Sequence, residues 1–431
     1  MSALALLETP TEVLARTKAP LKSRASLSGS FADNRHAPVH RWFRYSAGYS
    51  GTWASSVLLD MLPERVFDPF VGVGTTLISA EQSGIEAWGI DAHPFVSKVT
   101  RAKLAYRSDP RKFYSIAQDI LSFALELAPN PCRYPKLIQD CYTEDSLGEL
   151  DCLRTALSQI EDGSDATTLA WLALATILRP TSHAGTANSQ YVLPKHKKVN
   201  VKRPFAAYDE TVNMMRSDMI TSSVAGPEAV FHVDDARLCK SVPSQHFDLV
   251  ITSPPYPNNY DYADATRLEM TFFGEVERWR DLHATVRCHL LRSCTQQVPE
   301  REVDLNLVLS RPELTPIADD LSEVCMRLGE ERLNHGGKKN YHNMIACYFL
   351  DLAMVWIELR RVCKSPSSAC FVIGDSAPYG VYVPVPDWLG RLACAAGFKS
   401  FRFEKIRDRN IKWKNRKHRV PLCEGRLWVE G

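Results

Sequence analysis

The chain has 431 residues, 45% of them apolar and 24% charged, a balance that suits a folded, enzyme-sized protein and excludes a disordered or fibrous one. A formal net charge of +2 excludes a uniformly basic nucleic-acid binder, so any basic surface must come from local clusters. The twelve cysteines are scattered, with no Cys-x-x-Cys pair and no Cys/His set at zinc spacing, which points to free thiols in a reducing compartment and to no metal site.

Residues 1–38 mix Pro, Ser, Lys and Arg without periodicity and are expected to form a loose N-terminal arm. Their one apolar run, residues 3–7, is too short for a signal or a membrane span, so a cytoplasmic protein with no membrane partner is expected. Residues 41–62 lead from aromatics into helically spaced apolar positions that Pro63 ends. The following "RVFDPFVGVGTTLISAEQSGIEAWGIDAHPF" predicts strand, glycine turn, helix, a break at Gly84, and strand.

Residues 103–229 change character. Helical patterns such as "YSIAQDILSFALELA" precede "TLAWLALATILRP", which is apolar nearly all round but short enough to be a buried helix. Then "TSHAGTANSQYVLPKHKKVNVKRP" has turn formers and basic residues but no period, and predicts a loop or an irregular binding segment. Strand patterns resume in "AVFHVDDARL", "FDLVITSPPY" and "ACFVIGDSAPYG", with a core helix over "NMIACYFLDLAMVWIELRRVC". Residues 275–338 are more polar.

Short apolar strands alternating with helices predict an α/β fold, a doubly wound, Rossmann-like parallel sheet. Residues 39–102 and 230–431 supply it. A largely helical insertion, 103–229, and a second one, 275–338, interrupt it, and each is a candidate target recognition region.

In such sheets ligands gather at the carboxyl ends of the strands. Gly72 and Gly74 of "DPFVGVGTT" let the backbone turn tightly there, and Thr75 opens the next helix. The next strand ends in Asp91, whose carboxylate can accept both hydroxyls of a ribose. No Lys-Ser/Thr follows the glycines, and the third glycine of a dinucleotide fingerprint is missing. A nucleoside without a pyrophosphate fits best. Asp68 would repel a phosphate and suit an ammonium group.

"DPFVGVGTT" resembles motif I of the S-adenosylmethionine-dependent DNA amino-methyltransferases, and Ser253-Pro254-Pro255-Tyr256 resembles their catalytic motif after the fourth strand. The resemblance covers roughly residues 40–98 and 231–270, and more weakly 341 to the end. It implies S-adenosylmethionine as cofactor. Asp68, Pro69, Phe70, Gly72, Gly74 and Thr75 would surround its methionine part, Asp91 and Ala92 its ribose, and Asp234 or Asp235 of "HVDDAR" its adenine. "HRWFRYSAGYSGTW" resembles the segment that completes the family's cofactor pocket.

Methylating an exocyclic amine requires two fixed acceptors, because the nitrogen lone pair is delocalised into the base. The Ser253 hydroxyl and the Pro254 carbonyl can be those acceptors, aimed by the proline pair, and Tyr256 offers a face on which a flipped base stacks. Cytosine chemistry at ring carbon five would need a Pro-Cys nucleophile, and Pro131-Cys132 lies in the helical middle segment instead. Serine in the first motif position favours cytosine N4. Adenine N6 and an RNA amine are the alternatives, and no RNA-binding module is recognisable.

The expected partner is double-stranded DNA, and a cognate restriction or defence protein would accompany a site-specific enzyme. Phosphate contacts are expected from two basic runs, Lys195 to Arg203, holding Lys195, Lys197, Lys198, Lys202 and Arg203, and Arg402 to Arg419, holding Lys412, Trp413, Lys414, Arg416 and Lys417. Asn258 and Tyr260, just past the Ser-Pro-Pro-Tyr motif, are expected to order that loop or to touch the nucleotide.

Overall fold

The computed structural model describes residues 31–45, 47–187, 190–222, 226–299, 303–337, 339–409 and 420–431. The described strands are β1 (Arg65–Asp68), β2 (Glu86–Ile90), β3 (Ala184–Thr186), β4 (Val192–Lys197), β5 (Val230–His232), β6 (Phe247–Thr252), β7 (Cys363–Gly374), β8 (Ser400–Arg409) and β9 (Leu422–Glu430). Seven of them form one sheet in the order β5-β2-β1-β6-β7-β9-β8. Its first five strands run parallel, and β9 lies antiparallel between β7 and β8. The fold is the expected Rossmann-like one. Strand order reverses between β1 and β6, so their carboxyl ends border the crevice where such sheets take ligands.

Alternation along the strands divides the core in two. Val66, Leu249, Ile251, Cys370 and Val372 pack with Trp53, Val57 and Leu77 from helices Gly51–Met61 and Thr75–Ser83. Phe67, Val250, Phe371 and Ile373 face the other way, onto helices Tyr341–Val362 and Val385–Ala395. Both faces are covered at the centre of the sheet, which is why β6 and the second half of β7 are apolar nearly throughout. Helix Gly51–Met61 starts where Ser50 accepts a bond from the Trp53 amide, and Leu62 leaves it at φ 47° immediately before Pro63.

The first insertion is a helical layer. Helices Pro110–Glu126, Glu144–Ile160, Asp165–Ile177 and Pro204–Thr221 share a core with Phe95, Val96 and Val99 of helix Pro94–Leu104, which follows β2. The second insertion carries helix Ala318–Asn334 against Tyr341–Val362.

Three segments depart from the expectations. Residues 1–30 lie outside the described residues, but residues 31–38, expected in a loose arm, are tied to the fold through buried Asn34, while Asp33, Arg35, His36 and Pro38 stay exposed. The Asn34 amide donates to Tyr49 O at 2.8 Å and accepts from Gly51 N at 2.7 Å. The segment after helix Asp165–Ile177 is not an aperiodic loop, since β3 and β4 pair there as an antiparallel hairpin. Its strands are short, with a register shift at Ala184/Gly185 and mostly exposed basic residues along β4, so they leave no apolar period to detect. The start of the second basic run is likewise structural, because Arg402–Arg409 belongs to edge strand β8.

Among the described residues no helix is long and apolar enough to cross a membrane, and no group of three or more His, Cys, Asp and Glu is placed to hold a metal ion.

Candidate functional site

A cleft of about 820 Å³, open to solvent, lies at the carboxyl ends of β1, β2 and β6. Pro69, Phe70, Gly72 and Thr75 line it from the turn after β1, Asp91 and Ala92 from the end of β2, and Ser253 and Pro255 from the end of β6. Gly72 sits at φ 55°, and a Cβ there would meet the ring of Tyr45 at 3.4 Å. That is an ordinary contact, so it is the left-handed backbone conformation that favours glycine here. The Gly72 carbonyl in turn accepts from Thr100 Oγ1 at 2.5 Å.

Asp91 keeps acceptor capacity at the cleft wall. Its Oδ2 accepts the Gly72 amide and its Oδ1 the His93 amide, both at 2.8 Å, which fixes the carboxylate in the cleft wall while lone pairs remain on each oxygen. Burial raises its pKa to about 6 against the pull of those two amides. Its neighbour His93 is buried and pushed down to about 4, so it stays a neutral cap that accepts the Val96 amide and meets Thr266 Oγ1 at 3.1 Å.

Asp68 behaves differently from the expectation. It is wholly buried and does not line the cleft. Its Oδ1 accepts Thr252 Oγ1 at 2.6 Å and the Phe70 amide at 2.9 Å, and its Oδ2 accepts Thr76 Oγ1 at 2.6 Å and the Tyr49 hydroxyl at 3.2 Å. The carboxylate is thus turned inward, where it joins β1, β6, helix Thr75–Ser83 and the segment before helix Gly51–Met61. No acceptor is presented to an ammonium group. Gly74 does not line the cleft either; it stands at φ 88° as the N-cap of helix Thr75–Ser83.

Of the two candidate acids after β5, Asp235 lines the main cleft and Asp234 only a shallow neighbouring hollow. Asp234 Oδ2 accepts both the amide and the hydroxyl of Ser241 at 2.7 Å. Asp235 pairs with Arg237 at 2.6 Å, and Arg237 reaches on to buried Asp351 at 3.3 Å. The sequence reading missed Arg237 and the stretch His289, Leu290 and Leu291, which also line the cleft. The latter three come from a polar insertion with no motif to mark them. The aromatic segment before β1 contributes Tyr45, Ala47, Gly48 and Tyr49.

Ser253 Oγ donates to the Val372 carbonyl of the adjacent strand at 3.1 Å. Pro254 is buried, while Tyr256 is half-buried with the Arg409 guanidinium 5.2 Å from its ring centre. The loop is held from below by Ser376 Oγ, which donates to Pro257 O at 2.6 Å. Asn258 lines a second, more polar cleft of about 1150 Å³ together with Tyr341, Asp375, Ser376, Tyr379 and Arg409. The Tyr260 ring is stacked against Tyr191 of the first insertion at 5.9 Å.

The first basic run is largely committed to the protein. Lys198 Nζ donates to Arg179 O at 2.9 Å, Lys202 pairs with Glu210 and Arg203 with Glu149. Expected phosphate contacts from these three are thereby weakened, since each cation already has an acceptor. Lys197 is exposed but reaches Asp140 O at 3.1 Å and His183, whereas Lys195 projects into solvent from β4. Lys412, Trp413, Lys414, Arg416 and Lys417 lie outside the described residues.

No family model matches the chain. The type II methyltransferase M.BsoBI of Geobacillus stearothermophilus is 23% identical over 88% of this chain and 82% of its own length. M.AvaI of Nostoc sp. is 24% identical over 86% and 81%, and M.MvaI of Kocuria varians 22% over 74% and 72%, and both are also named type II methyltransferases. Among solved structures, the rRNA methyltransferase aviRa from Streptomyces viridochromogenes covers 95% of this chain and is itself covered to 93%, at 11% identity and a TM-score of 0.25, too low to carry an argument. The similarity to the named enzymes runs along most of the chain, well beyond the glycine turn and the Ser-Pro-Pro-Tyr loop, and it supports a place for the chain among the S-adenosylmethionine-dependent methyltransferases.

Proposed function

We propose that the chain is a site-specific DNA methyltransferase that modifies the exocyclic amine of a flipped base, with cytosine N4 as its target. The type II relatives support DNA as the substrate. Ser253 carries the chemical reading. Because its hydroxyl hydrogen is given to Val372 O, its oxygen is left as an acceptor at the cleft wall.

S-adenosylmethionine, when bound, supplies an electrophilic methyl group. The cleft suits it: Asp91 keeps lone pairs for two ribose hydroxyls, Gly72 permits the positive φ of the turn, and Asp235 with Arg237 closes the adenine side. Asp68 acts one step removed, by holding the turn and β6 together.

Ser253 Oγ and the Pro254 carbonyl each take one hydrogen of the target amine and draw the nitrogen toward a tetrahedral, nucleophilic form. The nitrogen, cationic once the new N–C bond has formed at the expense of the methyl–sulfur bond, then releases a proton to water. A base inside a duplex cannot reach these acceptors, so the nucleotide must leave the stack at a cost of about a few kcal/mol, partly offset by stacking on Tyr256. The second cleft borders this loop and offers the flipped nucleotide room. Lys195 on β4 is an exposed cation for the phosphates. No cysteine lies between Thr252 and Arg287, so the loop holds no nucleophile for ring-carbon methylation. Such a mark would shield the site from a restriction endonuclease of the same specificity.

The test is transfer of labelled methyl from the cofactor to duplex DNA and, separately, to total RNA. Label in DNA that falls about a hundredfold in Ser253→Ala supports the reading. Label in RNA alone overturns it.

A further inference from the structure

The loop after Tyr256 is held by both insertions at once, and Asp261 is where they meet. From the first insertion, the Asp261 amide donates to the Tyr191 hydroxyl at 2.7 Å. Tyr191 stands at the β3–β4 turn, where its own carbonyl accepts the Ala187 amide at 2.9 Å and its ring is stacked on Tyr260. From the second insertion, Arg287 grips the Asp261 carboxylate, with Nη2 to Oδ2 at 2.6 Å and Nε to the same oxygen at 3.1 Å. Arg287 is 3% exposed and Asp261 7%, so this pair is shielded from solvent and from salt. Thr295 adds a second tie, giving its amide and its hydroxyl to Asn259 Oδ1 at 2.9 and 2.8 Å.

The hairpin turn is itself anchored. Arg179 donates to Gln190 O at 2.7 Å and to Ala265 O at 2.7 Å, and it makes a two-pronged bond with Glu269 at 2.5 and 3.0 Å. One guanidinium therefore fixes the hairpin and the helices that follow the loop in a single frame. The other end of the same hairpin is β4, whose exposed face carries Lys195 and Lys197.

We propose that Tyr191 is a positioning residue, which locks the Ser-Pro-Pro-Tyr loop to the basic hairpin through the Asp261 amide, so that DNA seated on the hairpin sets the loop's register. The inference rests on the reading of the chain as a DNA methyltransferase and adds the path by which target contact reaches the acceptors. Tyr191 touches neither the cofactor cleft nor Ser253. Its effect passes through Asp261, four residues before Ala265 and five past Tyr256.

The experiment uses the full chain and Tyr191→Phe, which keeps the ring and removes only the hydroxyl. Amide hydrogen exchange over residues 257–264 is measured first, without DNA, so it reports on the tie whether or not DNA is the substrate. Exchange at Asp261 is expected to quicken at least about tenfold while the thermal midpoint stays put. With duplex DNA, kcat is expected to fall about tenfold to a hundredfold, with cofactor affinity unchanged. Unchanged exchange overturns the proposal, as does quickened exchange with an unaltered kcat. A fall in activity that only follows a fall in thermal midpoint also overturns it, since that marks a merely structural tyrosine. Wild-type protein that methylates no DNA would refute the substrate reading, and the exchange result would still decide whether Tyr191 holds the loop.

Discussion

The guanidinium of Arg409 lies over Tyr256, 5.2 Å from the ring centre, and donates to Asp375 O at 2.8 Å. A planar cation thus rests where a planar base is proposed to stack. Such contacts are worth about 0.5–2 kcal/mol, enough to compete with a base that gains about 1–3 kcal/mol from stacking. Arg409→Ala should therefore raise the population of flipped base about twofold to tenfold, seen as brighter 2-aminopurine fluorescence at the target position of a bound duplex. A dimmer signal would mean that Arg409 supports the base and does not compete with it.

Tyr256 and Asp91 should separate cleanly. Asp91 lines the main cleft, proposed to take the cofactor, and Tyr256 does not. Tyr256→Ala should lower kcat/KM for DNA by about tenfold to a hundredfold, matching a lost stacking of about 1–3 kcal/mol, with cofactor Kd nearly intact. Asp91→Ala should weaken cofactor binding by a similar factor in a calorimetric titration, while leaving flipping unaffected. Equal loss of cofactor affinity in both variants would contradict the assignment.

Cofactor binding should also carry the signature of Asp91. With its pKa raised to about 6 in the free protein, the carboxylate is ionised above that pH and protonated below it. Ribose hydroxyls donate to the ionised form. The Kd should be flat from about pH 7 upward and weaken about tenfold per unit below about pH 6. The break should vanish in Asp91→Asn.

Asp68→Asn should act on the frame. The substitution places an NH2 among four donors that now point at a carboxylate, leaving at least one buried donor without an acceptor. A loss of about 1–3 kcal/mol in stability is expected from thermal or urea unfolding, with weaker activity in proportion to the distorted turn.

Much of the frame was legible because its signals are local. The strand, glycine turn, helix and acidic strand end between Arg65 and Asp91 follow one another without interruption, and Ser253 to Tyr256 closes an apolar strand. What was hidden depends on contacts across the chain. Asp68 looks identical in sequence whether it faces a ligand or Thr76 and Thr252, and only the packing of β1 against β6 turns it inward. The acids that pair with Lys202 and Arg203, Glu210 and Glu149, lie outside the basic run itself and leave no mark in it. The bond between Tyr191 and Asp261 spans 70 residues of sequence, so no motif could announce it.

The most direct test of the central claim is identification of the modified nucleoside. Duplex DNA methylated by the protein with labelled cofactor is digested completely, and the labelled nucleoside is resolved by chromatography and mass spectrometry. The label is predicted in N4-methylcytosine. Label in N6-methyladenine or in 5-methylcytosine would contradict the cytosine amine as target, and DNA that stays unlabelled would contradict DNA methylation itself.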